Sequence, residues 1–267
     1  MNRIERRFAQ LKSRNESALV GFVTAGDPDP ARSFEIVQAM CRAGMDILEL
    51  GVPFSDPTAD GPVIQRSSSR ALKSGTKMGP ILQMTERLRK NTDIPIILFS
   101  YYNPILAYGA GRFYAEAVDA GADGALVVDL PPEESAELTA GWDFSRFALI
   151  RLIAPTTPPQ RMRAIAEGAA GFLYMVSKTG VTGSAGLDAA AVERHVAMLR
   201  QTTDLPVCVG FGVSTADDVA ALSQTADGVV IGSAFERLIE ENLDRPDLPA
   251  LVAERTRAYK AATRRAG

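Results

Sequence analysis

Short, mostly apolar runs recur along this chain and alternate with helical patterns, and this alternation constrains the fold more than any other feature. The runs are Leu19–Thr24, Asp46–Leu50, Ile94–Phe99, Ala125–Val128, Ala148–Ile153, Gly171–Val176, Leu205–Val209 and Gly228–Ile231. Such runs are typical of parallel strands that are buried on both faces. Repetition of strand and helix produces a parallel sheet with right-handed crossovers. Eight units predict an α/β protein of the (β/α)8, or TIM-barrel, class, with a doubly wound open sheet as the alternative.

The segments between the runs carry recognisable helix boundaries. Asp29 and Pro30 provide an N-cap followed by proline at the first helical position. Asp46 and Asp123 each follow a helix end and a glycine turn, and Asp227 stands in a similar place. The sequence therefore uses one kind of helix-to-strand joint repeatedly.

The chain has 267 residues, a length that suits one α/β barrel of about 250 residues. Proline and glycine do not collect in a linker, so we predict a single barrel domain over residues 1–267. An extra helix, Ile4–Ser13, is predicted before the first strand, where it would cover the bottom of the barrel.

Charge, cysteine and histidine content argue against several functions. The net charge is -3 and there is no basic stripe, which argues against a nucleic-acid partner. Cys41 and Cys208 lie far apart without CxxC motifs, and the one histidine, His195, falls in the middle of a helical pattern. No run approaches the roughly 20 apolar residues that span a membrane. We therefore predict a cytoplasmic protein with no metal site and no membrane partner.

Glu49 stands near the end of the second strand, and the active site of such barrels lies where strands end and loops begin. Alternation along a strand places Ile47 and Glu49 on one face, and Leu48 and Leu50 on the other. If the leucines pack against the helices, Glu49 points into the barrel. Burial would raise the pKa of its carboxyl group, as a general acid requires. The alternative is a structural ion pair between Glu49 and an arginine or lysine of the barrel, for which Arg151 on the fifth strand is one candidate.

The loop after the second strand carries two further carboxylates, Asp56 and Asp60. Its prolines stiffen it, and Gly61 allows it to turn. Either aspartate could be a second catalytic carboxylate, and either could serve only to form a turn.

The last quarter of the chain contains three glycine-rich segments that predict a phosphate site. Ser177–Gly186 is long enough to act as a mobile lid. Gly210–Ser214 and Gly232–Glu236 follow the last two strands, where glycines let backbone N–H groups approach an anion. Ser233 and Glu236 fit a capping box that opens a short helix. Barrels often bind phosphate with these two loops and such a helix, so we predict a phosphorylated small-molecule substrate.

Five segments match one known family in order and across essentially the whole chain. They are Gly21–Pro28, Glu49–Pro62, Tyr101–Pro104, Gly180–Gly183 and Gly210–Gly212. These segments resemble the tryptophan synthase α subunit family, and the second is the most specific. The resemblance implies retro-aldol cleavage of indole-3-glycerol phosphate to indole and glyceraldehyde 3-phosphate, with no metal or organic cofactor in this chain.

The resemblance also implies roles for individual residues. Glu49 would be the acid–base for the proton transfers, and Asp60 would bind the indole N–H and stabilise positive charge on the ring. Thr182 would contact Asp60 when the lid closes. The other implied substrate-binding residues are Phe22 and Phe211 for indole, Tyr174 in the active site, and Gly183, Gly212, Gly232 and Ser233 for phosphate.

A partner is implied as well, namely the pyridoxal-phosphate-dependent β subunit, which receives indole and makes tryptophan in an αββα tetramer. The Pro53–Asp60 loop, with Asn103 and Pro104, would face β. A lyase that acts without β is an alternative. A docking subunit without catalysis would have no reason to keep Glu49 and Asp60, and a phosphosugar isomerase would need catalytic groups that the other strand ends lack.

Overall fold

A computed structural model describes residues 1–176, 189–210 and 212–265 of the chain. Within them, eight parallel strands close into a barrel, because β1 pairs with both β2 and β8. The strands are β1 Ala18–Thr24, β2 Ile47–Gly51, β3 Ile96–Ser100, β4 Gly124–Val127, β5 Ala148–Ile153, β6 Leu173–Val176, β7 Val207–Gly210 and β8 Gly228–Ile231. The closed sheet confirms the predicted (β/α)8 class and excludes the open sheet.

Helices surround the barrel and fill the connections between its strands. Their bounds are α1 Arg3–Ser13, α2 Pro30–Arg42, α3 Pro62–Lys73, α4 Met78–Arg89, α5 Tyr102–Tyr108, α6 Ala110–Asp119, α7 Ser135–Thr139, α8 Pro159–Glu167, α9 Ala189–Arg200, α10 Ala216–Ser223, α11 Ser233–Glu240 and α12 Leu248–Ala262. Within the described ranges, no helix combines the length and apolar character needed to cross a membrane.

The predicted strands agree with the observed ones to within two residues. The largest differences are at β3, β6 and β7, which begin two residues later than predicted; β3 and β7 do so because Pro95 and Pro206 come just before them. A proline has no N–H group to donate to a sheet. The carbonyl groups of both prolines still accept hydrogen bonds from the neighbouring strand, from the N–H groups of Leu48 and Leu173 respectively, both at 2.9 Å.

Alternation along the strands divides the core into two layers. Leu48 belongs to the outer layer, between sheet and helices, whereas Ile47 belongs to the layer inside the barrel. Helix α1 adds Ile4 and Phe8 to the inner layer, and the rings of Phe8 and Phe172 lie 5.9 Å apart. As predicted, α1 closes the N-terminal end of the barrel, which leaves the C-terminal end for a site.

The repeated helix-to-strand joint has one geometry at this closed end. The carboxylates of Asp46, Asp123 and Asp227 accept hydrogen bonds from the N–H groups of Leu19, Ile96 and Val207, at 2.8, 2.9 and 3.0 Å. Each aspartate also pairs with a basic side chain. These carboxylates therefore fasten the starts of neighbouring strands together.

Candidate active site

A cavity of about 320 Å³ opens at the C-terminal end of the barrel. The described members of the predicted site that line it are Phe22, Glu49, Asp60, Tyr174, Gly212, Gly232 and Ser233. The structure therefore brings together every predicted site residue that it describes. Thr182, Gly183 and Phe211 lie outside the described residues. The whole predicted lid, Ser177–Gly186, lies outside them as well.

Glu49 lies on the wall of this cavity and is completely buried. Its β-sheet neighbours are Phe22 on β1 and Ile97 on β3. Neither carboxyl oxygen of Glu49 has a hydrogen-bond partner among the described residues. Burial raises the pKa of Glu49 to about 8. The prediction that Glu49 points into the barrel is confirmed, and its carboxyl group is protonated at neutral pH.

The alternative pairing of Glu49 with Arg151 is wrong. Arg151 points outward from β5, where its guanidinium group donates to the hydroxyl of Ser135 at 2.6 Å and to the carbonyl of Gly168 at 2.9 Å. Gly168 ends helix α8, and a cation stabilises exposed carbonyl groups at a helix C-terminus. Arg151 thus joins helices to the barrel and leaves Glu49 unpaired.

Asp60 lies at the opening of the cavity, two residues before Pro62 begins helix α3. Burial raises the pKa of Asp60 to about 6, and the phenol of Tyr101 partly opposes this increase. The Tyr101 hydroxyl also accepts a hydrogen bond from the N–H group of Ala59 at 2.9 Å, which fixes the loop beside Asp60. Asp56 is exposed and is not part of the cavity lining, so the structure separates the two aspartates.

Tyr174 fits beside the acid because the neighbouring strand has a glycine. A β-carbon on Gly210 would lie 2.5 Å from the Tyr174 hydroxyl, closer than atoms can approach. Burial raises the pKa of Tyr174 well above its ordinary value, and the nearby Glu49 carboxyl adds to the increase. The phenol therefore stays protonated and can donate a hydrogen bond into the cavity.

The middle of the cavity is apolar and aromatic. The ring of Phe22 meets that of Phe99 edge to face, with centroids 5.0 Å apart. A β-carbon on Gly51 would lie 2.6 Å from the Phe22 ring, so this glycine makes room for it. The other apolar residues of the lining are Ala59, Pro62, Val63, Ile64, Val128, Leu152, Val176, Val213 and Val230. Such walls suit a flat aromatic group.

The far end of the cavity is formed by backbone at the start of helix α11. Gly232 is the N-cap of this helix, and none of the side chains that the structure describes caps it. Gly212, on the loop after β7, has φ +77, a conformation that favours glycine. Uncapped N–H groups at a helix N-terminus attract anions. This arrangement can accept a phosphate group.

The predicted capping box of Ser233 and Glu236 is wrong. Ser233 is the first helical residue, and Glu236 turns away from its own N-cap. The buried Glu236 carboxyl accepts a hydrogen bond from the N–H group of Thr24, at the end of β1, at 2.6 Å. A contact between distant parts of the chain has therefore replaced the local one.

Arg237 was not predicted, although it lines the cavity and is the one basic residue among the described lining. It stands four residues after Ser233, which places both on one face of α11. This helical spacing from Ser233 was the signal that could have found it. Within the described residues, no group of three or more acidic, cysteine or histidine side chains could hold a metal ion.

The closed barrel, with its cavity at the C-terminal ends of the strands, defines a (β/α)8-barrel enzyme. Residues 8–264 match the family model of the tryptophan synthase alpha chain. The chain is 65% identical over 264 residues to the tryptophan synthase alpha chain of Desulfosudis oleivorans, covering 99% of this chain and 100% of that one. It is 61% identical to that of Desulfatibacillum aliphaticivorans, with the same coverage. The chain belongs to the tryptophan synthase alpha chain family.

Solved structures agree with this assignment. The tryptophan synthase subunit alpha of Legionella pneumophila superposes with a TM-score of 0.90 at 36% identity, covering 98% of both chains. A tryptophan synthase structure from Mycobacterium tuberculosis gives 0.89 at 34%, covering 99% of both. The chain is thus a lyase of tryptophan biosynthesis that cleaves indole-3-glycerol phosphate. The family name, that of one chain of a larger enzyme, implies a β-subunit partner.

Proposed function

We propose that Glu49 is the acid–base of this cleavage, that Asp60 stabilises charge on the indole ring, and that the start of α11 holds the substrate phosphate. The observation that carries the proposal is the completely buried carboxyl group of Glu49 in the wall of the cavity, which has no hydrogen-bond partner within the described ranges. An unpaired buried carboxyl group is costly to a folded protein. Its position in a cavity therefore points to chemistry.

The cleavage needs one proton delivered and one removed. Indole becomes a leaving group when carbon 3 of its ring gains a proton, and Glu49, with a pKa of about 8, carries that proton at neutral pH. The carbon–carbon bond then breaks and its electron pair returns to the ring. The glycerol hydroxyl becomes the aldehyde carbonyl and gives its proton to the Glu49 carboxylate. Glu49 ends the cycle protonated, as it began.

Asp60 acts as an anion in this scheme. Protonation of carbon 3 places a positive charge on the ring and its N–H group. With a pKa of about 6, Asp60 is ionised at neutral pH and accepts a hydrogen bond from that N–H. Phe22 and its aromatic neighbour hold the ring flat against the cavity wall. By the family resemblance, Thr182 and Phe211 complete this end of the site.

The phosphate group occupies the other end. Backbone N–H groups of Gly212, Gly232 and Ser233 bind its oxygens, as Gly183 does by the family resemblance. Arg237 adds a positive charge next to them. This end therefore fixes the substrate so that its ring reaches Glu49 and Asp60.

We further infer that the reaction needs no cofactor in this chain. The chain works in the cytoplasm as one barrel domain over residues 1–267, within an αββα tetramer. Pyridoxal phosphate belongs to β, which receives the indole.

An indole-release assay tests this function. The purified chain, alone and with β subunit, receives indole-3-glycerol phosphate in the presence of a metal chelator and without added pyridoxal phosphate. Indole and glyceraldehyde 3-phosphate should appear in equal amounts, faster with β present. Absence of indole under both conditions would leave only a docking role, and a rate unaffected by β would favour a lyase that acts alone.

A further inference from the structure

Glu236 is a buried acidic residue for which the proposed mechanism has no use. It lies in the first turn of α11 and is fully inaccessible to solvent. One carboxyl oxygen accepts the 2.6 Å hydrogen bond from the N–H group of Thr24, and the other has no hydrogen-bond partner among the described residues. Thr24 ends β1, the strand that also carries Phe22. The carboxyl group thus joins the start of α11 to the wall of the active site.

The surroundings of Glu236 keep it uncharged. Burial raises its pKa well above the ordinary value, and the neighbouring Asp27 carboxylate raises it further. Asp27 is itself buried and held by Arg70, whose guanidinium group donates to its two oxygens at 2.7 and 2.8 Å. Arg70 lies on α3 and also donates to Glu240 on α11, at 2.8 Å. The positive charge nearest to Glu236 is therefore already engaged by two other carboxylates.

The direction in which Glu236 points matters for the phosphate end. If Ser233 were the N-cap, as the sequence motif predicts, Glu236 would be the third helical residue, where a glutamate commonly folds back and accepts a hydrogen bond from the N-cap N–H group. That contact would place a carboxylate beside the N–H groups that a phosphate needs, and the two anions would compete. In α11 the N-cap is Gly232 instead, the carboxyl group is withdrawn, and no side chain in the part of the chain that the structure describes caps Gly232.

We propose that Glu236 is a positioning residue for the phosphate end of the site. Its carboxyl group ties the first turn of α11 to the end of β1, and thereby leaves the N–H groups at Gly232 and Ser233 free for the substrate. This inference rests on the proposed phosphate site. It makes Glu236 act on substrate binding through the helix, without contact to the substrate.

Two substitutions of similar volume separate this role from a general structural one. Glu236→Gln keeps an oxygen that accepts from Thr24, and its amide can donate towards Asp27 as the protonated acid can. Glu236→Met fills the same space without an acceptor. Glu236→Ala is a second variant without an acceptor, in case the methionine distorts β1. Circular dichroism and thermal unfolding establish that each variant is folded.

The readout is steady-state kinetics with indole-3-glycerol phosphate and with the same compound lacking its phosphate. For Glu236→Gln we expect KM within about threefold of the unsubstituted chain. For Glu236→Met we expect KM for the phosphorylated substrate to rise roughly tenfold, which corresponds to the loss of about one hydrogen bond. The kcat of this variant should change less than about threefold. The kcat/KM for the compound without phosphate should stay the same. The inhibition constant of glycerol 3-phosphate should rise in parallel with KM.

Three results would overturn the proposal: an unchanged KM in both variants that lack the acceptor, an equal loss with both substrates, or a glutamine variant as impaired as the methionine one. Gly232→Asp distinguishes these failures from failure of the phosphate site itself. Its carboxylate would occupy the space of the phosphate oxygens. If Gly232→Asp weakens glycerol 3-phosphate binding while Glu236→Met does not, only the role of Glu236 is refuted. If neither weakens it, the phosphate site lies elsewhere.

Discussion

The carboxyl group of Glu49 has a thermodynamic cost that follows from its environment. The folded protein holds it in the cavity wall, where it has no hydrogen-bond partner among the described residues, and burial raises its pKa from 4.5 to about 8. In this interval the folded state binds a proton that the unfolded state has released. Folding therefore becomes less favourable as pH rises from about 4.5 to about 8, at roughly 1.4 kcal/mol per pH unit.

Glu49→Gln should consequently stabilise the protein, and more so at alkaline pH. The amide has nearly the same shape and no charge to desolvate. We compare the free energy of unfolding of the variant with that of the unsubstituted chain. The difference should grow by roughly several kcal/mol between pH 5 and pH 8, because only the unsubstituted chain loses stability as pH rises. Urea unfolding at the two pH values measures this, with the exposed Asp56→Asn as control. A difference that does not change with pH would contradict the burial of an uncharged Glu49.

The pH dependence of activity reports the same two carboxyl groups. The mechanism needs Glu49 protonated and Asp60 ionised, so kcat/KM should rise through pH of about 6 and fall through pH of about 8. The alkaline limb is diagnostic, because the substrate phosphate also ionises near pH 6. A kcat/KM that is constant up to about pH 9.5 would show that Glu49 does not start the cycle as the acid.

At the scale of elements, two aromatic side chains of the site are accommodated in the same way. Phe22 pairs in register with Glu49 and packs over Gly51, two residues further along β2. Tyr174 pairs with Cys208 and packs over Gly210, two residues further along β7. In each case a glycine on the neighbouring strand leaves the space into which the ring leans. The glycines on these strands are therefore part of the site.

Gly210→Ala tests this arrangement. The new methyl group would meet the hydroxyl of Tyr174 at 2.5 Å and the β-carbon of Val230 at 2.7 Å, so the phenol must move from its place in the cavity wall. We expect kcat/KM to fall at least about tenfold while the barrel still folds. Gly111→Ala on helix α6 is the control, because among the described residues nothing beyond its chain neighbours and its own helix backbone lies within 4 Å of the added carbon. Normal kinetics in Gly210→Ala would mean that the position of Tyr174 is unimportant.

The sequence was sufficient for features that depend on local periodicity. Apolar runs located all eight strands, and alternation along the second strand oriented Glu49. These local patterns could not choose between Asp56 and Asp60, because both fit a turn; the family resemblance selected Asp60, and in the structure the packing of the loop against Tyr101 distinguishes the two. The capping box at Glu236 failed because Thr24, more than two hundred residues away in sequence, provides the stronger partner. Such competition is not visible in a local motif.

Across the whole molecule, stability and chemistry are placed at opposite ends of the barrel. At the N-terminal end, α1 fills the interior, and Asp46, Asp123 and Asp227 tie strand starts together through hydrogen bonds and ion pairs. At the C-terminal end, the described residues leave Glu49 unpaired and give the first turn of α11 no side-chain cap. Barrels of this class commonly divide their ends in this way. The stabilising contacts at the closed end offset the unfavourable free energy of burying the unpaired carboxyl group at the open end.

The central claim is that Glu49 transfers both protons, and Glu49→Gln in complex with β tests it most directly. We predict that kcat for indole release falls at least about 10²-fold, because the amide can neither donate nor recover the proton. The dissociation constant of glycerol 3-phosphate, measured by calorimetry, should stay within about threefold of that of the unsubstituted complex. Retention of more than about a tenth of the turnover, with binding unchanged, would contradict the assignment of Glu49 as the acid–base.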